Sequence, residues 1–130
     1  MYSAQVLDHF ENPRNVGELA GADAAAELEN PACGDMVRLT LRIDGERIVE
    51  VRFKAKGCVA SVACASALTE VIAGKTLTEA MSVRRDDLSV RLGGLPRVST
   101  HAAQLAVDVL RAALGRGGAV RNLDSSLREE

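Results

Sequence analysis

The chain has 130 residues, a formal net charge of −2 and 47% hydrophobic residues. That length and composition fit one globular domain with one core, offer no basic field for nucleic acid, and include no apolar run long enough to span a membrane. No charged-then-apolar leader opens the chain, so a soluble cytoplasmic protein is expected. Aromatic residues make up only 2% and Trp is absent, so Ala, Val, Leu and Ile must build the core. Three cysteines do not pair into a disulfide framework. In a reducing compartment they serve metal or sulfur chemistry, or fill space as small apolar side chains.

Taken in order, Met1 to Phe10 predicts a helix with Val6, Leu7 and Phe10 on one face and Ser3 as N-cap. Asn12-Pro13 stops it, because the residue before proline is pushed out of the α region. Asn15 to Asn30 reads as a loop followed by a weak edge strand near Ala25 to Leu28. Met36 to Asp44 then alternates, with Val37, Leu39, Leu41 and Ile43 on one face and Arg38, Thr40, Arg42 and Asp44 on a wet face. Asp44-Gly45 is a turn signal. Val49, Val51, Phe53 and Ala55 alternate with Glu50, Arg52, Lys54 and Lys56, which completes an antiparallel hairpin.

Gly57 breaks that strand. Val59 to Ala73 predicts an apolar helix of small residues, with Gly74 at its C′ position. Thr76-Leu77-Thr78-Glu79 matches a capping box, so another helix starts at Leu77. Asp86 to Leu92 reads as a further helical turn and Gly93 to Pro96 as a loop. Thr100 to Leu114 is the last helix, with Gly115, Gly117 and Gly118 ending it. Residues 1–115 are expected to form the domain and residues 116–130 a flexible polar tail. This order predicts an α+β fold: a small antiparallel sheet with helices packed on one face.

Cys33-Gly34-Asp35 places a thiol and a carboxylate one glycine apart, after a proline and before a strand. Alone it is either a surface turn or a pair of ligands aimed one way. Cys58 opens a helix, where free amides and the helix dipole favour its thiolate. Cys33 and Cys58 flank the two hairpin strands, so antiparallel pairing can bring them to the same end of the sheet. With His101 at the start of the last helix, the set comprises thiolates, a carboxylate and an imidazole. That set suits a tetrahedral zinc or, less conventionally, an iron–sulfur cluster.

Several separate stretches then resemble one family. They are Met1-Tyr2-Ser3, Asp8 to Gly17 (DHFENPRNVG), Asn30 to Asp35 (NPACGD), Phe53 to Cys58 (FKAKGC), and Thr69-Glu70 with Gly74-Lys75. Together they are similar to the IscU/NifU-type iron–sulfur cluster assembly scaffolds over nearly all of the chain to about Leu114. The spacing between Gly74-Lys75 and His101 resembles the Isc branch.

The resemblance implies a three-stranded antiparallel sheet covered by helices, and a scaffold rather than an enzyme. Members take sulfur from a cysteine desulfurase, build a [2Fe–2S] cluster and pass it to target apoproteins. They often carry zinc at the same site when isolated. Position by position, Cys33, Asp35, Cys58 and His101 match the family's ligands.

Two departures stand out. Ala102 occupies the position of the third cysteine, which in Isc-type members is linked with receiving sulfur. The segment recognised by an Hsp70-type chaperone is here Leu95-Pro96-Arg97-Val98-Ser99, without one proline and the lysine. The altered ligand set leaves an alternative of the same fold, a zinc-binding regulatory or sulfur-acceptor protein. Cys64 lies six residues after Cys58, about 600° around a helix and roughly 120° short of two turns. It is either a small core residue or a replacement ligand. His9 reads as structural or partner-facing.

Overall fold

The computed structural model describes residues 2–31 and 34–118. The expected tail therefore lies almost wholly outside the described residues. Helix α1 (Ala4–Glu11) precedes three strands, β1 (Ala24–Asn30), β2 (Asp35–Asp44) and β3 (Arg47–Lys56). Helices α2 (Val59–Ile72), α3 (Leu77–Met81) and α4 (Arg85–Arg91) follow. A 3-10 turn (Arg97–Ser99) then leads into α5 (Thr100–Gly118). The strands form one antiparallel sheet in the order β1-β2-β3. This is the expected α+β architecture.

The alternating pattern of β2 works as its sequence predicts. Val37, Leu39 and Leu41 are fully buried, and Leu39 and Leu41 pair with Phe53 and Val51 of β3. Helix α5 lies on β1 and β2, and α2 lies on β3 while touching α1, α4 and α5. Enclosure on so many sides explains why α2 is apolar over most of its surface. Ala60, Ala63, Cys64, Ala67, Leu68 and Ile72 are all buried along it, and its small residues let neighbours approach closely. The capping box at Thr76 and Glu79 is present, and Gly74 takes φ +82° just after α2.

Four expectations need correction. Val49 is 49% exposed and Ile48 is fully buried. Arg42 pairs with Glu50 but Ile43 pairs with Ile48, so Val49 is the extra residue of a β-bulge. A one-residue insertion moves the following side chains to the opposite face.

Thr40, expected on the wet face, is buried. The chain after α1 first lies along the outer edge of β3, where Phe53 N–H donates to Asn15 O and Gly17 N–H donates to Phe53 O. It then crosses the polar face of the sheet, where Leu19 N–H donates to Thr40 Oγ1 and Arg42 donates to Ala20 O.

Leu7 and Phe10 of α1 are partly exposed, and the buried residues of that helix are Val6 and His9. A polar anchor on α2, described below, sets that face. Finally, α5 does not stop at Leu114 but runs to Gly118. Glycine costs a helix about 1 kcal/mol per residue without forbidding it.

Candidate metal centre

The hairpin register builds the site. Met36 pairs with Lys56, so Asp35 at the start of β2 comes to lie beside Gly57 and Cys58 at the end of β3. Gly57 has φ +132°, a conformation side chains rarely adopt, and a Cβ there would sit 2.0 Å from Asp35 Oδ1. Glycine is therefore required for the carboxylate to tuck against the backbone. Cys58 N–H donates to Asp35 Oδ1 at 3.1 Å, and Cys58 Sγ lies 3.5 Å from Oδ2. Cys58 is the N-cap residue of α2, and its side chain makes no capping bond, which leaves the sulfur turned to the site.

Helix α5 brings the third group. His101 Nε2 lies 3.5 Å from Asp35 Oδ2. Its Nδ1 is 3.0 Å from the carbonyl of Val98 in the preceding 3-10 turn. A carbonyl can only accept, so Nδ1 carries the proton and Nε2 presents a lone pair to the site. The oxygen, sulfur and nitrogen donors of Asp35, Cys58 and His101 all lie within 4.8 Å of one another. Asp35 is only 3% exposed, whereas Cys58 and His101 reach solvent. The centre has a buried floor and an open mouth. Beside the mouth runs a cleft of about 490 Å³, lined by Asn30, Pro31, Arg85, Thr100, His101 and Gln104 among others.

Of the sequence-predicted ligands, three are thus brought together, and Cys33 lies outside the described residues. An O/S/N donor set of this kind fits zinc or another thiophilic metal. Cys64 sits fully buried in the hydrophobic core. Burial, and secondarily the nearby Cys58, pushes its thiol up to about 12. Ala102 is also a core residue.

Sequence reasoning missed Ser61. Its hydroxyl donates to Asp35 Oδ2 at 2.6 Å and lies 3.4 Å from Cys58 Sγ. The available signal was its place three residues after Cys58, in the first turn of the helix that Cys58 caps.

The other missed constellation is the anchor of α1. His9 is buried, with Nδ1 2.8 Å from Ser66 Oγ and Nε2 3.5 Å from Glu70 Oε1. Ser66 Oγ accepts from Arg14 N–H, which leaves the serine proton for Nδ1. Burial, followed by the Arg14 charge, holds the His9 pKa below its ordinary value, so the ring is neutral and Nε2–H faces Glu70. Arg14 and Arg91 also pair with Glu70, and Asn15 donates to Thr69 Oγ1. These bonds give Asp8 to Asn15 a structural task, clamping the N-terminal segment to α2.

Comparison with known proteins bears on the whole of this arrangement. Residues 1–118 match the family model described as "NifU-like N terminal domain". The chain belongs to this family. It is 43% identical over 114 residues to "Iron-sulfur cluster assembly scaffold protein IscU 1" of Archaeoglobus fulgidus, covering 88% of this chain and 74% of that protein. It is 40% identical over 117 residues to the IscU scaffold protein of Escherichia coli K12, covering 87% and 91% of the two chains. Among solved structures, a candidate SUF-system scaffold from Fervidobacterium islandicum AW-1 aligns with TM-score 0.71 at 25% identity, covering 85% of this chain and 94% of that one. The N-terminal part of a NifU-like protein from Brucella abortus aligns with TM-score 0.59 at 22% identity, covering 85% and 81%, and shares the fold. Membership in the NifU-like family agrees with the three-stranded sheet and helical cover seen here.

Proposed function

We propose that this chain is an iron–sulfur cluster assembly scaffold whose donors toward the cluster are Cys33, Asp35, Cys58 and His101. One observation carries the reading. Three chemically distinct donors from β2, the head of α2 and the head of α5 converge within 4.8 Å. The names of the Archaeoglobus fulgidus and Escherichia coli relatives, both scaffold proteins for cluster assembly, support the same role. Cys33, two residues before Asp35 in the chain, would supply the second thiolate.

The cluster is cargo, of [2Fe–2S] type. Iron–sulfur clusters are usually held by thiolates alone. A carboxylate and an imidazole in place of two thiolates hold the cargo less tightly, which suits a protein that must release it. The exposed faces of Cys58 and His101, with the cleft beside them, leave room for a partner to approach. The partners on this reading are a cysteine desulfurase as sulfur donor and apoproteins as acceptors. An Hsp70-type chaperone would meet Leu95 to Ser99, where Val98 is prominently exposed.

Anaerobic reconstitution with iron and sulfide tests the proposal. The wild-type chain should develop visible cluster absorption, and Cys33→Ala and Cys58→Ala should abolish it. A colourless wild-type chain, in conditions where the Escherichia coli IscU scaffold takes up a cluster, overturns it.

A second reading rests on Ala102, where the resemblance calls for a third cysteine. Two thiolates, one carboxylate and one imidazole complete a tetrahedral zinc site with no open position. On this reading the chain is a zinc-binding regulatory or sulfur-acceptor protein. Stoichiometric zinc on elemental analysis, with no cluster on reconstitution, selects it.

A further inference from the structure

Asp35 is held by more than its metal-facing neighbours. One oxygen, Oδ1, accepts from Cys58 N–H. The other, Oδ2, lies 3.5 Å from Cys58 Sγ and 3.5 Å from His101 Nε2, and accepts the hydroxyl of Ser61 at 2.6 Å. Ser61 is 1% exposed and fixed in the first turn of α2. It reaches no further into the site than that oxygen and the Cys58 sulfur at 3.4 Å.

We infer that Ser61 is a positioning residue of the metal centre: its hydroxyl orients Asp35 as a ligand before any metal arrives. The inference rests on the metal-centre reading above. The physical argument is one of proton supply. Ser61 has a single hydroxyl proton and two acceptors within reach, the Asp35 carboxylate and the Cys58 sulfur. The carboxylate bond is much the shorter, so the proton goes there and the serine lone pairs face the sulfur. Ser61 thereby holds from one side the same oxygen that lies 3.5 Å from both Cys58 Sγ and His101 Nε2. Without that bond Oδ1 keeps the Cys58 N–H while Oδ2 loses a hydroxyl donor, so the donor oxygen is less firmly fixed against the other two ligands. Hydrogen-bonded supports of this kind typically contribute 10- to 100-fold in metal affinity.

The test uses Co²⁺ as the probe, because thiolate-to-cobalt charge-transfer absorption reports the bound geometry. Zn²⁺ competition against a chromophoric chelator gives the affinity. Ser61→Ala should weaken Zn²⁺ binding by about 10- to 100-fold and alter the Co²⁺ spectrum. In an Asp35→Ala background, Ser61→Ala should cause little further loss, because Ser61 acts through the carboxylate. The inference is overturned if Ser61→Ala binds as wild type does. It is equally overturned if the loss is the same in both backgrounds, since Ser61 would then act through packing alone. Should Ser61→Ala not fold, Ser61→Thr against Ser61→Val makes the comparison with near-equal shape and a hydroxyl in only one of the two. The Thr variant should bind more tightly, and equal binding overturns the inference. A wild-type chain that takes up neither ion overturns the metal-centre reading itself, a result distinct from all of these.

Discussion

Gly57→Ala is the sharpest single perturbation of the site. The new Cβ would lie 2.0 Å from Asp35 Oδ1, 2.7 Å from its Cγ and 3.0 Å from its Cα. The first two atoms belong to a buried, hydrogen-bonded side chain and the third is backbone, so either the strand ends separate or Asp35 turns away. Turning away sacrifices the bonds from Cys58 N–H and Ser61 Oγ–H. Losing a bond to a charged group costs about 1.5–3 kcal/mol, and forcing a side chain to φ +132° adds about 1–3 kcal/mol. Two such bonds and the backbone strain sum to roughly 4–9 kcal/mol, a large fraction of the about 5–15 kcal/mol that stabilises a typical domain.

At about 4 °C per kcal/mol, the melting temperature should fall by about 10 °C or more. Gly45→Ala is the control. Its φ is +66° and nothing lies within 4 Å of a Cβ there, so it carries the backbone cost alone, about 1–2 kcal/mol. Thermal melts of the two variants beside wild type, with Zn²⁺ uptake measured on each, read out the difference. Gly57→Ala should melt well below Gly45→Ala and lose zinc, while Gly45→Ala keeps it. If the two melt together, or Gly57→Ala retains wild-type zinc, the steric argument is wrong.

Further expectations concern the core and the anchor. Iodoacetamide at mildly alkaline pH, followed by peptide mapping, should modify Cys58 and leave Cys64 untouched until the protein is unfolded; comparable labelling of both in the native state would count against the buried thiol. The folded Cys64 pKa lies above its ordinary value, so its contribution to stability is full below about pH 9 and is lost as pH rises toward about 12. Urea melts across that range should show the loss in wild type, reduced in Cys64→Ala. For His9 the sign is opposite: its folded pKa is lowered, so stability is full above the ordinary value of 6.5 and falls as the unfolded chain takes up a proton below it. His9→Asn should be less stable at neutral pH but flatter between pH 7 and 5, and a slope as steep as wild type would exclude His9 as its source. Thr76→Ala removes the capping box of α3 and should cost about 1 kcal/mol in chemical denaturation, with zinc uptake unchanged.

Much of the fold was legible because short-range rules govern it. Period-two alternation at Val37, Leu39 and Leu41, the Asp44-Gly45 turn and the Thr76–Glu79 box each carry their own signal. What was hidden depends on contacts between distant segments. The bulge at Val49 is marked only by the apolar doublet Ile48-Val49, which does not say which of the two turns inward. Thr40 is buried by a loop some twenty residues upstream. The face of α1 follows from Ser66 and Glu70 on α2, because a buried histidine with partners can outcompete Leu7 and Phe10 for the interior. At the site, residue types and resemblance pointed to Asp35, Cys58 and His101. Ser61 carried only a weak mark, its place three residues after Cys58, because serine in a small-residue helix looks like packing until its partner is known.

The support of His101 comes from a main-chain carbonyl rather than a side chain. A carbonyl is the same whatever residue carries it. The side chains of Arg97 and Ser99, which replace the proline and lysine of the resembled segment, can therefore differ without changing which imidazole nitrogen is turned to the candidate site. Only the curvature of that short turn has to persist. The side chains along Leu95 to Ser99 and the orientation of His101 are thus free to evolve separately, though they are neighbours in the chain.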